Sequence, residues 1–159
     1  MKEEYHIILE IIRNKNLNRI RESGITSIIQ GILYFNGWNV FDPFEVKPQP
    51  SVPPKDRPDL ALFVFSRRKA LIEIKKSNKN INNPQIREQL LRYLDKAPDV
   101  EYGILTNAIS WQFYENETNQ MVAELNLTND EDSVIKKTFD SYLSKKNFLT
   151  PELLEELLC

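Results

Sequence analysis

Two short runs of strand-forming residues, "DLALFVF" (59–65) and "ALIEIKK" (70–76), flank the basic stretch "SRRK". Branched and aromatic side chains at this density favour extended chain, and so short a link joins two strands antiparallel. The second run alternates. Ala70, Ile72 and Ile74 take one face, while Leu71, Glu73 and Lys75 take the other. One face is therefore expected to be core and the other to present chemistry. Asp59, Glu73 and Lys75 are expensive in such strands, at roughly several kcal/mol each to desolvate without partners.

Pairing of the two strands brings Asp59 and Glu73 to the same end of a sheet, and the period of two aims Glu73 and Lys75 from one face. Two carboxylates at short range repel unless one is protonated or a cation lies between them. A hard divalent ion with oxygen ligands satisfies both, which makes Mg²⁺ the natural candidate and Mn²⁺ its substitute. Lys75 would then orient a metal-bound water or offset charge developing on a phosphate. That division of labour suits phosphodiester hydrolysis. The plainer alternative is an acid capping the turn at Asp59 and a same-face ion pair between Glu73 and Lys75.

The rest of the chain frames these strands. Residues 2–18 and 20–36 show apolar residues at helical spacing, with Gly37 ending the second helix. "WNVFDPFEV" alternates like a strand interrupted at Pro43, and the proline-rich "KPQPSVPPKDRP" predicts an extended loop. Asn83 as cap and Pro84 in the first turn predict a helix over 84–96, with Leu90, Leu91 and Leu94 as its buried stripe. "EYGILTN", "WQFYE" and "QMVAELNL" predict three more strands. Trp111, Phe113 and Tyr114 are expected to pack in the core, and "DEDSVIKKTFDSYLSKK" and "TPELLEELLC" to be helical. The apolar stripe of the last helix suits either a partner helix or a return onto the domain. We therefore expect one domain over 1–159, of mixed α/β class: N-terminal helices in 1–36, a sheet core in 37–127 with its helix at 84–96, and C-terminal helices in 128–159.

Composition narrows the functional classes. The single cysteine, Cys159, rules out an internal disulfide and a multi-cysteine zinc site, and His6, the lone histidine, is expected to be packed. A span near twenty apolar residues is absent, so the expectation is a cytoplasmic protein with no membrane partner. The net charge of −2 hides an uneven distribution. Between Lys47 and Lys96 there are twelve Lys and Arg against five acids, a local balance of +7 that leaves −9 for the remainder. A basic middle in an acidic frame points to a polyanion-binding surface, or else to a solvated charged face.

Pro58-Asp59, a hairpin, and Glu73-Ile74-Lys75 together resemble the PD-(D/E)XK nuclease motif. "GWNVFDPFEV" after a helix, "QLLRY" (89–93) and "YGILTNAISWQFY" (102–114) are similar in order and spacing to the N-terminal nuclease domain of type I restriction enzyme R subunits. The resemblance covers roughly residues 20–127 and implies a restriction-endonuclease-like fold, a central mixed sheet flanked by helices. It also implies a metal-dependent DNA endonuclease with Asp59 and Glu73 as metal ligands, the backbone carbonyl of Ile74 as a third, and Lys75 as catalytic lysine. Gln89 and Tyr93 match a Q-x-x-x-Y element that helps bind DNA, one helical turn apart on a common face. The basic residues Arg57, Lys76, Lys79 and Arg92 are the expected DNA contacts. An acid in a leading helix often completes such a site, and Glu22 is the nearest candidate, although "RESG" departs from the usual helix start. "TNA" stands where the family often has "TNG".

No G-x-x-x-x-G-K-[ST] phosphate loop is present, so the chain carries no motor of its own and would need a motor or specificity partner to act as type I enzymes do. Cutting both strands usually takes two sites, which makes a homodimer a reasonable expectation. The alternative of a different class is a non-catalytic nucleic-acid-binding or assembly domain that keeps the fold with an idle metal site.

Overall fold

A computed structural model describes residues 3–48 and 57–159. Helices α1 (Glu3–Asn14) and α2 (Glu22–Phe35) are followed by strands β1 (Val46–Pro48), β2 (Leu60–Val64) and β3 (Arg67–Ile74). Helix α3 (Pro84–Asp95) leads into β4 (Tyr102–Thr106), β5 (Ser110–Glu115) and β6 (Met121–Asn126). Helices α4 (Asp132–Tyr142) and α5 (Pro151–Leu158) close the chain. The six strands form one sheet in sequence order, β1-β2-β3-β4-β5-β6. All neighbours are antiparallel except β3 and β4, which run parallel because α3 carries the chain back between them.

Alternation along β3 sorts residues between two cores. Ala70, Ile72 and Ile74 join Ile25, Ile29, Trp111, Phe113 and Phe139 in the larger core, beneath α1, α2 and α4. Leu71 joins Leu90, Tyr93, Leu94 and Leu105 in the smaller core, beneath α3. Both faces of β3 are thus buried. The face expected to be open carries its ionisable groups inside a helix-covered layer, because α3 lies across it. Arg13 ties α1 to the opposite end of the chain, donating to the carbonyls of Leu127 and Asp130 and pairing with Asp132 at 2.9 Å. This is the mixed α/β architecture of a restriction-endonuclease-like fold.

Several local expectations are corrected. The hairpin turns at Phe65 and Ser66, both with positive φ, so Arg67, Arg68 and Lys69 belong to β3 instead of the turn, and Lys75 and Lys76 lie beyond the strand. "WNVFDPFEV" forms turns and contributes only its final valine to β1, because the side chains of Asn39 and Asp42 capture nearby amides of Phe41 and Phe44. Trp38 is buried, its indole N–H donating to the carbonyl of Leu143. His6 is exposed and faces Asp132 at 3.6 Å, since the apolar positions of α1 turn inward around it. Most of the expected proline-rich loop lies outside the described residues. Leu153 anchors α5 onto the larger core, whereas Leu154, Leu157 and Leu158 remain exposed.

Candidate active site

The register of β2 against β3 sets the geometry. Leu60 pairs with Ile72, which puts Asp59, just before β2, beside Glu73 and Ile74. Asp59 Oδ2 accepts the Ile74 backbone N–H at 2.6 Å, so its carboxylate continues the ladder where the strand itself has ended. Glu73 is only 5% exposed. Its Oε1 accepts from Lys75 Nζ at 2.8 Å. Its Oε2 is fully buried with no hydrogen-bond partner among the described residues, a state that a bound cation, a water or a proton would relieve.

A polar relay runs from this pair into α3. Lys75 Nζ also donates to Gln89 Oε1 at 3.3 Å, and Gln89 Nε2 donates to the Tyr93 hydroxyl at 2.7 Å. Spacing of four residues stacks Gln89 over Tyr93 on one helix face, and the Asn83 side chain, accepting from the Gln85 N–H, starts the helix in the required register. Tyr93 is buried with its hydroxyl inside this relay. Lys76, Lys79, Arg57 and Arg92 are exposed.

Burial is the main force on the acids. It pushes the Glu73 carboxyl up to about 7, with the neighbouring Asp59 adding to the rise and Lys75 opposing it. Asp59 is also raised, first by burial, against the lowering effect of the Ile74 N–H. The charge of Glu22, exposed in the first turn of α2, adds to the upward push at both. The structure therefore brings Asp59, Glu73 and Lys75 together and places Glu22 within electrostatic reach.

This donor set fits a hard divalent cation. Two carboxyls raised first by burial, and a buried, unpartnered oxygen, would all be relieved by positive charge between them. Among the described residues no three His, Cys, Asp or Glu side chains cluster tightly enough to hold a metal by themselves. The Asp59 and Glu73 carboxylates with the Ile74 carbonyl would be the protein ligands, the remainder being water or phosphate.

Sequence reasoning missed the residues that hold the loop after Lys75. Buried Asn107 donates to the carbonyls of Lys79 at 3.0 Å and Ser77 at 3.4 Å, while its own carbonyl accepts from the amides of Ile109 and Ser110. Gln112 Nε2 reaches Asn82 at 2.6 Å, and Ser77 donates to Asn18. The "TNA" segment was the available signal. Ala108 takes φ +74°, a left-handed conformation that explains why glycine is common at that position.

Among the described residues no helix is long and apolar enough to cross a membrane. Comparison with curated proteins and with solved structures yields no match. A family model described as type I restriction enzyme R protein N terminus matches residues 3–122. That span covers most of the chain, from α1 into β6, and includes Glu22, Asp59, Glu73, Lys75, Gln89 and Tyr93. The chain belongs to the family of type I restriction enzyme R protein N-terminal domains.

Proposed function

We propose that this chain is a cytoplasmic, metal-dependent DNA endonuclease domain that hydrolyses phosphodiester bonds. The observation that carries the reading is the buried Glu73 oxygen without a partner, one residue from the Asp59-bound Ile74 peptide and within the ion pair to Lys75. In this reading Asp59, Glu73 and the Ile74 carbonyl would hold Mg²⁺. When bound, the ion supplies Lewis-acid polarisation of the scissile phosphate and a lowered pKa for water. Lys75, positioned by Glu73 and Gln89, orients the attacking water and stabilises charge on the phosphate oxygens. Gln89 holds the lysine through its side-chain carbonyl, and Tyr93 holds Gln89. Lys76, Lys79, Arg57 and Arg92 supply attraction to the DNA backbone. Double-strand cleavage would take a second copy or a motor or specificity partner.

The test is nicking of supercoiled plasmid. Cleavage is expected with Mg²⁺ or Mn²⁺, none with EDTA, and Asp59→Asn, Glu73→Gln and Lys75→Ala are each expected to lower the rate by roughly 10² or more while the fold persists. A wild-type protein that binds DNA yet cuts nothing with any divalent ion would replace this reading with a non-catalytic binding or assembly domain.

A further inference from the structure

Ahead of α2 the chain carries a basic stretch outside the segment between Lys47 and Lys96. From Asn14 to Arg21 it holds Lys15, Arg19 and Arg21 and no acid. Leu17–Arg19 form a single 3-10 turn, capped by the Asn16 side chain, which accepts the Asn18 N–H at 3.1 Å. Leu17 is buried, and Ile20 packs against the larger core. Ile20 and Arg21 are extended, so the period of two leaves Arg19 and Arg21 exposed on either side of the inward Ile20. A Cβ at Gly24 would collide with Ile20, so glycine there lets the turn lie close against α2.

This stretch reaches the candidate active site from the layer opposite α3. Helix α2 covers the larger core and α3 the smaller, and Asp59 and Lys75 leave the ends of β2 and β3 between them. Ser77 Oγ donates to Asn18 Oδ1 at 3.1 Å, joining the turn to the loop two residues past Lys75. Glu22, next to Arg21, acts on both carboxyls of the site. Exposed bases ordinarily form a solvated face, but Arg21 stands where helix physics disfavours it. It is the N-cap of α2, makes no side-chain capping bond, and puts a cation at the positive end of the helix dipole. Among the described residues Arg19, Arg21, Lys76 and Lys79 have no ion-pair partner. Arg67, Arg68 and Lys69, at the far end of β3, are all paired.

We propose that Arg19 and Arg21 bind the phosphodiester backbone of duplex DNA on the α2 side of the site, extending the cationic surface of Lys76 and Lys79 into the N-terminal layer. Unpaired cations at one end of a sheet whose other end is neutralised suit a polyanion lying over that end. The turn is already anchored by Leu17, Ile20 and the Ser77 bond, so the backbone of both arginines needs no ordering when DNA binds. The assignment rests on the nuclease reading above for the use of this surface, and its test is separable from that reading.

Fluorescence anisotropy of a labelled duplex in EDTA, where no cleavage is expected, reads binding by the full chain. Arg19→Gln with Arg21→Gln is expected to weaken binding about tenfold or more and to reduce the slope of log K against log salt by about two. Arg19→Lys with Arg21→Lys keeps the slope near that of wild type, because the charges remain. Arg67→Gln with Lys69→Gln removes the same net charge at the hairpin end and is the control. An equal loss there would reduce the effect to net charge and overturn the assignment. Circular dichroism melts confirm that each variant folds. Wild-type affinity and slope in folded Arg19→Glu with Arg21→Glu would also overturn it, leaving these arginines to an acidic protein partner and the nuclease reading intact. Weakened binding in the arginine variants, with no nicking by wild type in any divalent ion, would keep this surface and replace the nuclease reading with the binding domain. A wild type that binds no DNA in EDTA or in Mg²⁺ would overturn both.

Discussion

At Glu73 the fold keeps a carboxyl group in a place where its charge is costly, and that cost is a function of pH. Its folded value near 7 lies above the ordinary 4.5. The native state therefore holds more protons than the unfolded chain between those two values, and stability falls as pH rises across that interval. The contribution is intact below about 4.5 and lost above about 7, and the shift corresponds to on the order of 3 kcal/mol. Glu73→Gln mimics the protonated form. In EDTA at pH 8 the variant is expected to melt higher than wild type, by an amount equivalent to about 1–3 kcal/mol, and the difference should close near pH 4.5. A charged Glu73 that is tolerated for the sake of a cation also predicts that Mg²⁺ raises the melting temperature of wild type and not of the variant, because a ligand stabilises only the state that binds it. Equal melting points for the two proteins at pH 8, with or without Mg²⁺, would show that burial of this carboxylate carries no such penalty.

Among the elements, those whose signals are local side-chain patterns were legible in the sequence. Asn83 and Pro84 mark the start of α3 with one residue's accuracy, because a cap and a proline at N1 act within one turn. Asp59, Glu73 and Lys75 were readable as one constellation, since an antiparallel register follows from a short hairpin. The position of the hairpin turn was not. Phe65 and Ser66 both adopt positive φ, the conformation of a type I′ turn, without the Asn-Gly pair that usually announces it. Nor could the face of β3 be assigned as open or closed, because whether α3 covers it depends on a crossover that alternation does not encode. Asn107 lay in a recognised segment, yet its role depends on carbonyls 28 and 30 positions away. The turn itself offers a test. Left-handed backbone costs a residue with a Cβ roughly 1–2 kcal/mol, and both turn residues are exposed. Replacing Phe65 with Asn and Ser66 with Gly is expected to stabilise the protein by about 1 kcal/mol, or about 2–4 °C in thermal melting. Unchanged or lower stability in the double variant would mean that the aromatic ring of Phe65 compensates for its backbone.

Across the whole molecule the basic segment is divided by the fold into two groups with different electrostatic roles. At the hairpin end of β3, Arg67 pairs with Glu156 of α5, Arg68 with Asp99, and Lys69 with Glu101. Much of the local excess is thus matched by acids from the flanking, negatively charged parts of the chain. At the other end of β3, Lys76 and Lys79 project from the loop held by Asn107, next to the candidate active site. An overall charge of −2 then repels DNA from most of the surface while this end attracts it, which orients the encounter. The salt dependence of binding distinguishes the two groups, since each phosphate contact contributes about 0.9 to the slope of log K against log salt. Lys76→Gln with Lys79→Gln is expected to reduce the slope by about two and to weaken binding similarly for all DNA sequences. Arg67→Gln with Lys69→Gln should leave both affinity and slope unchanged, because those charges are already paired with acids and lie at the end of β3 opposite Glu73. If the second pair of substitutions reduces the slope as much as the first, DNA tracks along the hairpin end instead, and the carboxylates beside Lys75 are not where the backbone arrives.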